Sequence, residues 1–315
     1  MNTKIRPNPF LLSVVVPCYN EAGHLKDFVA ALRGALIEVT DQFEIILVND
    51  GSKDHTREVA LDILNQDSIR YIEFSRNFGK EAALMAGIDF ARGDAALLID
   101  ADFQHPLEKI KEMMLLWKQG YEMVYGVIDN RQKESAMKKI GTNLFYQLLK
   151  FSEVPIPKNA GDFRWLDRKV INALKSLPER NRFMKGLYAW VGFKAIALPF
   201  VPNDRGGGVS SFSAKNLSKL ALSGITSFSV FPLHVWTLVG AVISLLSITY
   251  GIYVAIDTMF YGNAVSGWPT LTVALMFFSG VQLFSVGVLG EYIGRIFGEV
   301  KQRPLYIVSD DQQSI

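Results

Sequence analysis

The sequence predicts an α/β protein with a mainly parallel sheet, extended by a pair of membrane helices. Three observations predict it. Short apolar runs alternate with helix-period segments through the first hundred residues. Each run ends in a polar, turn-forming cluster. The last third holds two stretches of more than twenty residues without an acidic or basic side chain. Strands alternating with helices imply βαβ units and a parallel sheet, and uncharged stretches longer than about 20 residues cross a bilayer core.

The elements follow in order. Residues 11–16 are a β-branched run ending at Pro17, after which Cys18, Tyr19, Asn20 and Glu21 form a loop. Residues 22–39 carry Leu25, Phe28, Val29, Leu32 and Leu36 at helical spacing. A second strand at 44–48 ends in Asn49-Asp50-Gly51-Ser52-Lys53-Asp54, and a helix at 56–64 follows. A third strand at 69–74 ends in Ser75-Arg76-Asn77-Phe78-Gly79-Lys80, before a helix at 81–91. The fourth strand begins at Ala95 and switches abruptly to Asp100, Asp102 and Gln104, with Pro106 opening a helix.

In parallel sheets of this kind ligands bind beyond the carboxyl ends of the strands, so these four loops define one candidate rim. Alternating carboxylates at Asp100 and Asp102 point hard oxygens into a crevice. That suits a divalent cation such as Mg2+, which shares its ligands with substrate phosphates; the alternative is a solvated acidic turn. Tyr19 is placed to lie against a base, Asn20 and Glu21 to bond a base or ribose, and Asp50 to accept from the base. Lys80, at a helix start, adds positive charge where anions are already favoured. Singly each has a plainer reading: Asn20 and Asp50 as ordinary turn residues, Tyr19 as core, Lys80 as a solvated lysine. There is no G-x-G-x-x-G after the first strand and no G-x-x-x-x-G-K-[ST] loop, which argues against a dinucleotide site and a P-loop ATPase.

Residues 123–127 read as a further strand, and Asp129-Asn130-Arg131 turns away from it. The mixed cationic and apolar segment 138–151 either packs on the domain or lies on a membrane surface. Asp162, after Gly161, is either a positioned carboxylate or a cap for the following segment. In 202–213, three consecutive glycines beside Arg205 read as a loop whose arginine closes on an anion, or as a linker.

These readings divide the chain into an α/β domain that carries the rim (1–210), an interfacial amphipathic helix (211–229), two membrane helices at about 231–256 and 269–290 within 230–292, and a tail (293–315). The loop 257–268 has no Lys or Arg, whereas Lys215, Lys219, Arg295, Lys301 and Arg303 flank the pair. The positive-inside rule then places both termini and the first domain in the cytoplasm, on a multi-pass membrane protein. A net charge of +2 gives no case for nucleic acid. The single cysteine excludes an internal disulfide and fits a reducing compartment. Residues 1–10 lack a signal peptide's apolar core.

The segments Val15-Val16-Pro17-Cys18-Tyr19-Asn20-Glu21, Val48-Asn49-Asp50-Gly51-Ser52-Lys53-Asp54, Arg76-Asn77-Phe78-Gly79-Lys80-Glu81 and Asp100-Ala101-Asp102-Phe103-Gln104 resemble the signature of the GT-A, family-two inverting glycosyltransferases. Four later segments resemble the polyprenyl-phosphate glycosyltransferases within that family. They are Gly161-Asp162-Phe163-Arg164, Leu177-Pro178-Glu179-Arg180-Asn181, Gly224-Ile225-Thr226-Ser227-Phe228-Ser229 and Gly290-Glu291-Tyr292-Ile293-Gly294-Arg295. The nearest likeness is to the bactoprenol glucosyltransferases of O-antigen modification, with dolichol-phosphate mannose synthases more distant.

The resemblance implies a GT-A (Rossmann-like) fold and a set of roles. Pro17, Tyr19, Glu21 and Asp50 would hold the nucleoside, with Asn20, Lys80 and Asp100 completing the nucleotide-sugar site. Asp100, Asp102 and Gln104 would bind Mg2+ or Mn2+. Asp162 stands where the family places its proposed base, and is grouped with Asp102 as catalytic. Arg131, Lys139, Arg205 and Ser210 would contact the phosphates and acceptor.

The implied reaction moves glucose from UDP-glucose to undecaprenyl phosphate with inversion. UDP-GlcNAc, UDP-galactose or GDP-mannose as donor, and a catalytically silent scaffold that holds lipid phosphate, stand as alternatives. Homo-oligomerisation is expected only as a general prior. Three positions depart from the pattern: Ile128 and Ser211 replace usual cations, and His105 replaces a usual Asp.

Overall fold

The structure is a computed structural model that describes residues 6, 9–64, 68–129, 157, 160–180, 182–203, 231–261 and 267–313. Strands β1 (Leu12–Cys18), β2 (Phe43–Asn49), β3 (Ile69–Phe74) and β4 (Ala95–Leu98) are joined by helices α1 (Leu25–Ile37), α2 (Thr56–Ile63) and α3 (Lys80–Phe90). Then come α4 (Lys109–Lys118), β5 (Met123–Ile128), β6 (Ala160–Asp167), α5 (Arg168–Ser176), α6 (Met184–Trp190) and β7 (Ala195–Phe200). Two long helices, α7 (Phe231–Tyr261) and α8 (Trp268–Val300), precede a last strand, β8 (Val308–Gln313).

All eight strands form one sheet in the order β7-β5-β6-β4-β1-β2-β3-β8. β3, β2, β1 and β4 are mutually parallel, and β5 and β7 run the same way. Only β6 and β8 run against them. A strand in a parallel sheet buries both faces and reads as a continuous apolar run, which is how β1 looks. Leu12, Val14 and Val16 pack on one side with residues of α1, α2 and α4. Val15 packs on the other with α3, α5 and α6. At the crossing of β1 and α3 the fit leaves no room: a Cβ on Gly87 would lie 2.0 Å from Val15 Cγ1.

Two regions differ from the sequence reading. The segment entered at Asp162 is β6, wedged antiparallel between β4 and β5. The capping role belongs instead to Asp167, whose carboxylate accepts from Lys169 N at 3.0 Å and so starts α5. Asp162 faces the rim from within the strand.

The second difference is at the carboxyl end. α8 continues ten residues past the expected end of the apolar stretch, because 291–300 contains no proline to stop it. The chain then turns back and adds β8 to the free edge of β3. Tyr306 stacks on Phe74, ring centroids 4.9 Å apart, and its hydroxyl donates to Asp89 at 2.8 Å. Arg180 N donates to both carboxylate oxygens of Glu299, at 3.0 and 2.9 Å.

The expected segments 138–151 and 211–229, and with them Arg131, Lys139, Arg205, Ser210 and Ser211, lie outside the described residues.

Candidate active site

Strand order reverses at β1, which has β2 on one side and β4 on the other. Such a switch point opens a crevice at the strands' carboxyl ends. The loops after β1 and β4 both empty into it, carrying Tyr19 to Glu21 and Asp100 to Gln104.

On the nucleotide side the loops are laced together. Asn20 takes a left-handed φ of 58°, which asparagine tolerates. Its side-chain oxygen accepts from Lys53 N at 2.8 Å and its own N–H donates to Ser52 Oγ at 3.0 Å. Glu21 N donates to Thr56 Oγ1 at 2.8 Å, and the Glu21 carboxylate meets His24 Nε2 at 2.5 Å. Asp50 is buried and accepts from Phe78 N at 2.6 Å and Gly79 N at 2.9 Å. It therefore holds the loop after β3 against the loop after β2. Gly51 makes that contact possible, since at its φ of +61° a Cβ would sit 2.4 Å from the Arg76 carbonyl carbon. Pro17, next to last in β1, is half-buried, and Tyr19 stands exposed on the rim.

On the catalytic side the centre is Lys80, the first residue of α3. Its ammonium lies 2.7 Å from Asp100 and 3.0 Å from Asp162, joining the acidic loop after β4 to β6. Burial alone would depress the Lys80 pKa, but the Asp162 and Asp100 carboxylates hold it above the usual lysine range. At Asp162 burial opposes ionisation, yet Lys80, Lys185 and Arg164 keep its pKa below the ordinary value. Asp102 Oδ1 accepts from Gln104 N at 3.0 Å, fixing the turn. Phe103 between them has φ 59°, a strained choice for an aromatic residue. His105 packs on Phe163 and Phe200 at centroid distances of 4.9 and 5.6 Å. Burial lowers its pKa against the pull of Asp100 and Asp102.

Three residues given no role in the sequence complete this side. Glu81 accepts from Met184 N at 2.9 Å, and burial, reinforced by the charge of Asp162, pushes its pKa up to about 7. Arg164 is buried, its guanidinium 4.3 Å from the ring centroid of Tyr188 and 5.2 Å from that of Tyr125. Tyr188 lies beneath it. Among the described residues, Asp162 Oδ1, Arg164 Nη2 and Tyr188 OH are buried without a hydrogen-bond partner. The sequence offered one signal: an arginine between two large aromatic residues, Phe163 and Trp165.

The donor set fits a divalent cation. Asp100 and Asp162 both meet the Lys80 ammonium, and Asp102 follows two residues after Asp100 in the same turn, so hard carboxylate oxygens gather at one crevice. Among the described residues no three His, Cys, Asp or Glu side chains converge as a ready cage. Mg2+ asks for less, since one or two carboxylates plus substrate phosphates suffice. Burial, with further contributions from Asp102 and Asp100, raises the Glu21 pKa against His24, so this carboxylate senses the same acidic field.

The pattern of glycosyl transferase family 2 matches residues 13–174, which spans β1 through most of α5. The chain belongs to glycosyl transferase family 2. The pattern of the GtrB C-terminal hairpin matches residues 231–296, the α7–α8 pair. A glycosyltransferase of Synechocystis is 47% identical over 301 residues, 95% of each chain. The bactoprenol glucosyl transferase of Shigella phage SfV is 43% identical over 304 residues, 96% of this glycosyltransferase and 99% of the phage protein. The prophage bactoprenol glucosyl transferase homolog of Escherichia coli K12 is 42% identical over 299 residues, covering 94% and 98%.

Both halves of the expected architecture, a family-two catalytic domain and a carboxyl-terminal hairpin, are therefore present in this glycosyltransferase. Among the described residues one helical stretch, Phe277–Val300, is long and apolar enough to cross a membrane. Trp236 of α7 packs on Phe284 of α8, ring centroids 4.7 Å apart.

Proposed function

We propose that this glycosyltransferase moves glucose from UDP-glucose to undecaprenyl phosphate at the cytoplasmic face of the inner membrane, with inversion. The observation that carries the reading is Lys80, whose ammonium ties Asp100 of the D-x-D turn to Asp162 across the crevice. The phage and Escherichia relatives are bactoprenol glucosyl transferases by name, which supports this acceptor and this sugar. The hairpin supplies the lipid setting: Leu238, Leu245, Leu246 and Leu283 stand exposed on α7 and α8, as side chains in hydrocarbon do.

The chemistry is a single displacement. An oxygen of the lipid phosphate forms a bond to the anomeric carbon as that carbon's bond to the UDP β-phosphate oxygen breaks, and the bonding pair leaves with UDP. Attack from the opposite face inverts the centre. A phosphate monoester loses its second proton near pH 6, so the nucleophile needs no strong base.

Asp162 accordingly acts through its charge. Kept ionised by its cations, it is a poor proton acceptor at neutral pH and a good anchor for Lys80. Asp100, Asp102 and Gln104 would hold Mg2+ or Mn2+, which when bound offsets the charge growing on the diphosphate. Tyr19 offers a face to the uracil. Pro17, Asn20, Glu21 and Asp50 shape the pocket beneath it. Arg131, Lys139, Arg205 and Ser210 are assigned to the acceptor phosphate.

The test is turnover by the purified full chain. With UDP-glucose, undecaprenyl phosphate and Mn2+ or Mg2+, mass spectrometry should find a hexosyl lipid phosphate. EDTA should abolish it, and Asp102→Ala should cut turnover at least a hundredfold. Parallel reactions with UDP-GlcNAc, UDP-galactose and GDP-mannose identify the donor. Undiminished turnover by Asp102→Ala would reject the metal assignment.

A further inference from the structure

Three segments far apart in sequence meet at one cavity of about 800 Å3. Its walls come from Arg76 and Phe78 after β3, from Arg180 after α5, and from the carboxyl end of α8 with the turn that follows. Four arginines line it: Arg76, Arg180, Arg295 and Arg303. Glu291, 3.2 Å from Arg295, is the one acidic residue of the lining among the described residues. The cavity is therefore strongly positive.

The α8 wall is built to leave space. Gly290, Gly294 and Gly298 recur every fourth residue and so share one helix face. A glycine inside a helix costs about 1 kcal/mol relative to alanine, so three need a reason. Close packing is not that reason among the described residues, because a Cβ on any of the three would meet nothing within 4 Å. Larger side chains would instead fill the cavity. Beside this wall Ile293, Ile296 and Phe297 stand exposed on α8, so an apolar surface adjoins the basic one.

We propose that this cavity binds the phosphate of a bilayer lipid. Guanidinium forks match phosphate oxygens in geometry and charge, and basic pockets beside membrane helices take lipid headgroups. The apolar face of α8 accompanies the acyl or prenyl chain. The site is distinct from the D-x-D turn but linked to it. Phe78 in the cavity wall and Lys80 at the acidic cluster are two residues apart, no more than about 7 Å of chain. The inference rests on the membrane placement of α7 and α8 given above.

The experiment uses the full chain in detergent, with lipid retention read by native mass spectrometry. The probes are undecaprenyl phosphate, phosphatidylglycerol, phosphatidylcholine and inorganic phosphate. The double variant Arg180→Gln, Arg303→Gln removes charge, and Gly294→Leu fills the space without touching charge; UDP binding with Mn2+ reports on folding in both. At least tenfold weaker retention of undecaprenyl phosphate in both variants supports the proposal and makes the occupant the acceptor or its product. The same loss for phosphatidylglycerol supports it with a membrane headgroup as occupant.

Three outcomes overturn it: retention unchanged for both anionic lipids, equal competition by inorganic phosphate, or a Gly294→Leu variant that changes only the oligomeric mass. Wild-type chain that binds lipid here yet makes no hexosyl lipid phosphate would sink the proposed function alone. Product formation with lipid retention unmoved by either variant would sink the cavity assignment alone.

Discussion

Lys80 and Glu81 are adjacent in the chain and opposite in behaviour. Lys80 stays charged because two carboxylates face it. Glu81 has burial and the charge of Asp162 against it, and its pKa moves from an ordinary 4.5 to about 7. Between these values the folded chain keeps a proton that the unfolded chain has lost, so stability falls as pH rises from about 4.5 to about 7. Glu81→Gln, neutral throughout, should remove that slope: it melts with the wild type at pH 5 and above it at pH 8. Equal pH profiles by thermal denaturation would show that Glu81 is ordinary. Lys80→Met takes away the ammonium between Asp100 and Asp162, and turnover should fall on the order of 100-fold, the loss typical of one preorganised charge. UDP binding without metal, followed by calorimetry, separates that loss from misfolding. The rim position of Asp100 and Asp102 was legible because the loop after a parallel strand's carboxyl end opens on the crevice. The Lys80–Asp162 contact was not, since 82 positions separate the partners and only the placement of β6 unites them.

At the scale of elements, patterning identified the parallel half well and the antiparallel additions poorly. β1 to β4 and the helices between them follow the apolar spacing to within a few residues, because each helix buries one stripe and each strand both faces. β6 escapes such reading: it buries Arg164 and Asp167, whose partners Tyr188 and Trp117 come from distant helices. β8 escapes for the opposite reason, since Val-Ser-Asp-Asp-Gln-Gln is polar enough to pass for a tail. Where the pattern did hold, its tolerance is small. Gly87→Ala forces a Cβ into Val15 at the α3–β1 crossing, and overpacking of this kind costs about 1–3 kcal/mol. The variant should lower the urea midpoint without changing the slope of the transition. An unaltered midpoint would mean that α3 shifts freely on the sheet.

For the whole molecule, β8 decides how the catalytic domain and the hairpin are joined. The strand follows α8 by a short turn and pairs along β3 from Arg70 to Phe74, so α8 is tied to the sheet edge at one end. Glu299 on Arg180 N and Tyr306 on Phe74 fasten the same junction. An open sheet edge is also a template for aggregation, and a short charged strand is a common cover. Two variants separate backbone pairing from charge. Asp311→Ala breaks the two hydrogen bonds from Arg70, at 2.9 and 2.6 Å, but the pair is solvent-facing and such pairs contribute about 0–1 kcal/mol. Its melting temperature should therefore stay close to that of the wild type. Deleting 308–315 removes the whole ladder, leaving the β3 amides unpaired and Phe74 partly uncovered. Hydrogen exchange at β3 should then quicken at least tenfold, and turnover in vesicles should fall more than turnover in detergent, because the domain has lost its fixed height above the bilayer. If Asp311→Ala does as much harm as the deletion, charge rather than strand pairing holds the junction; if neither does any, α8 positions the domain unaided.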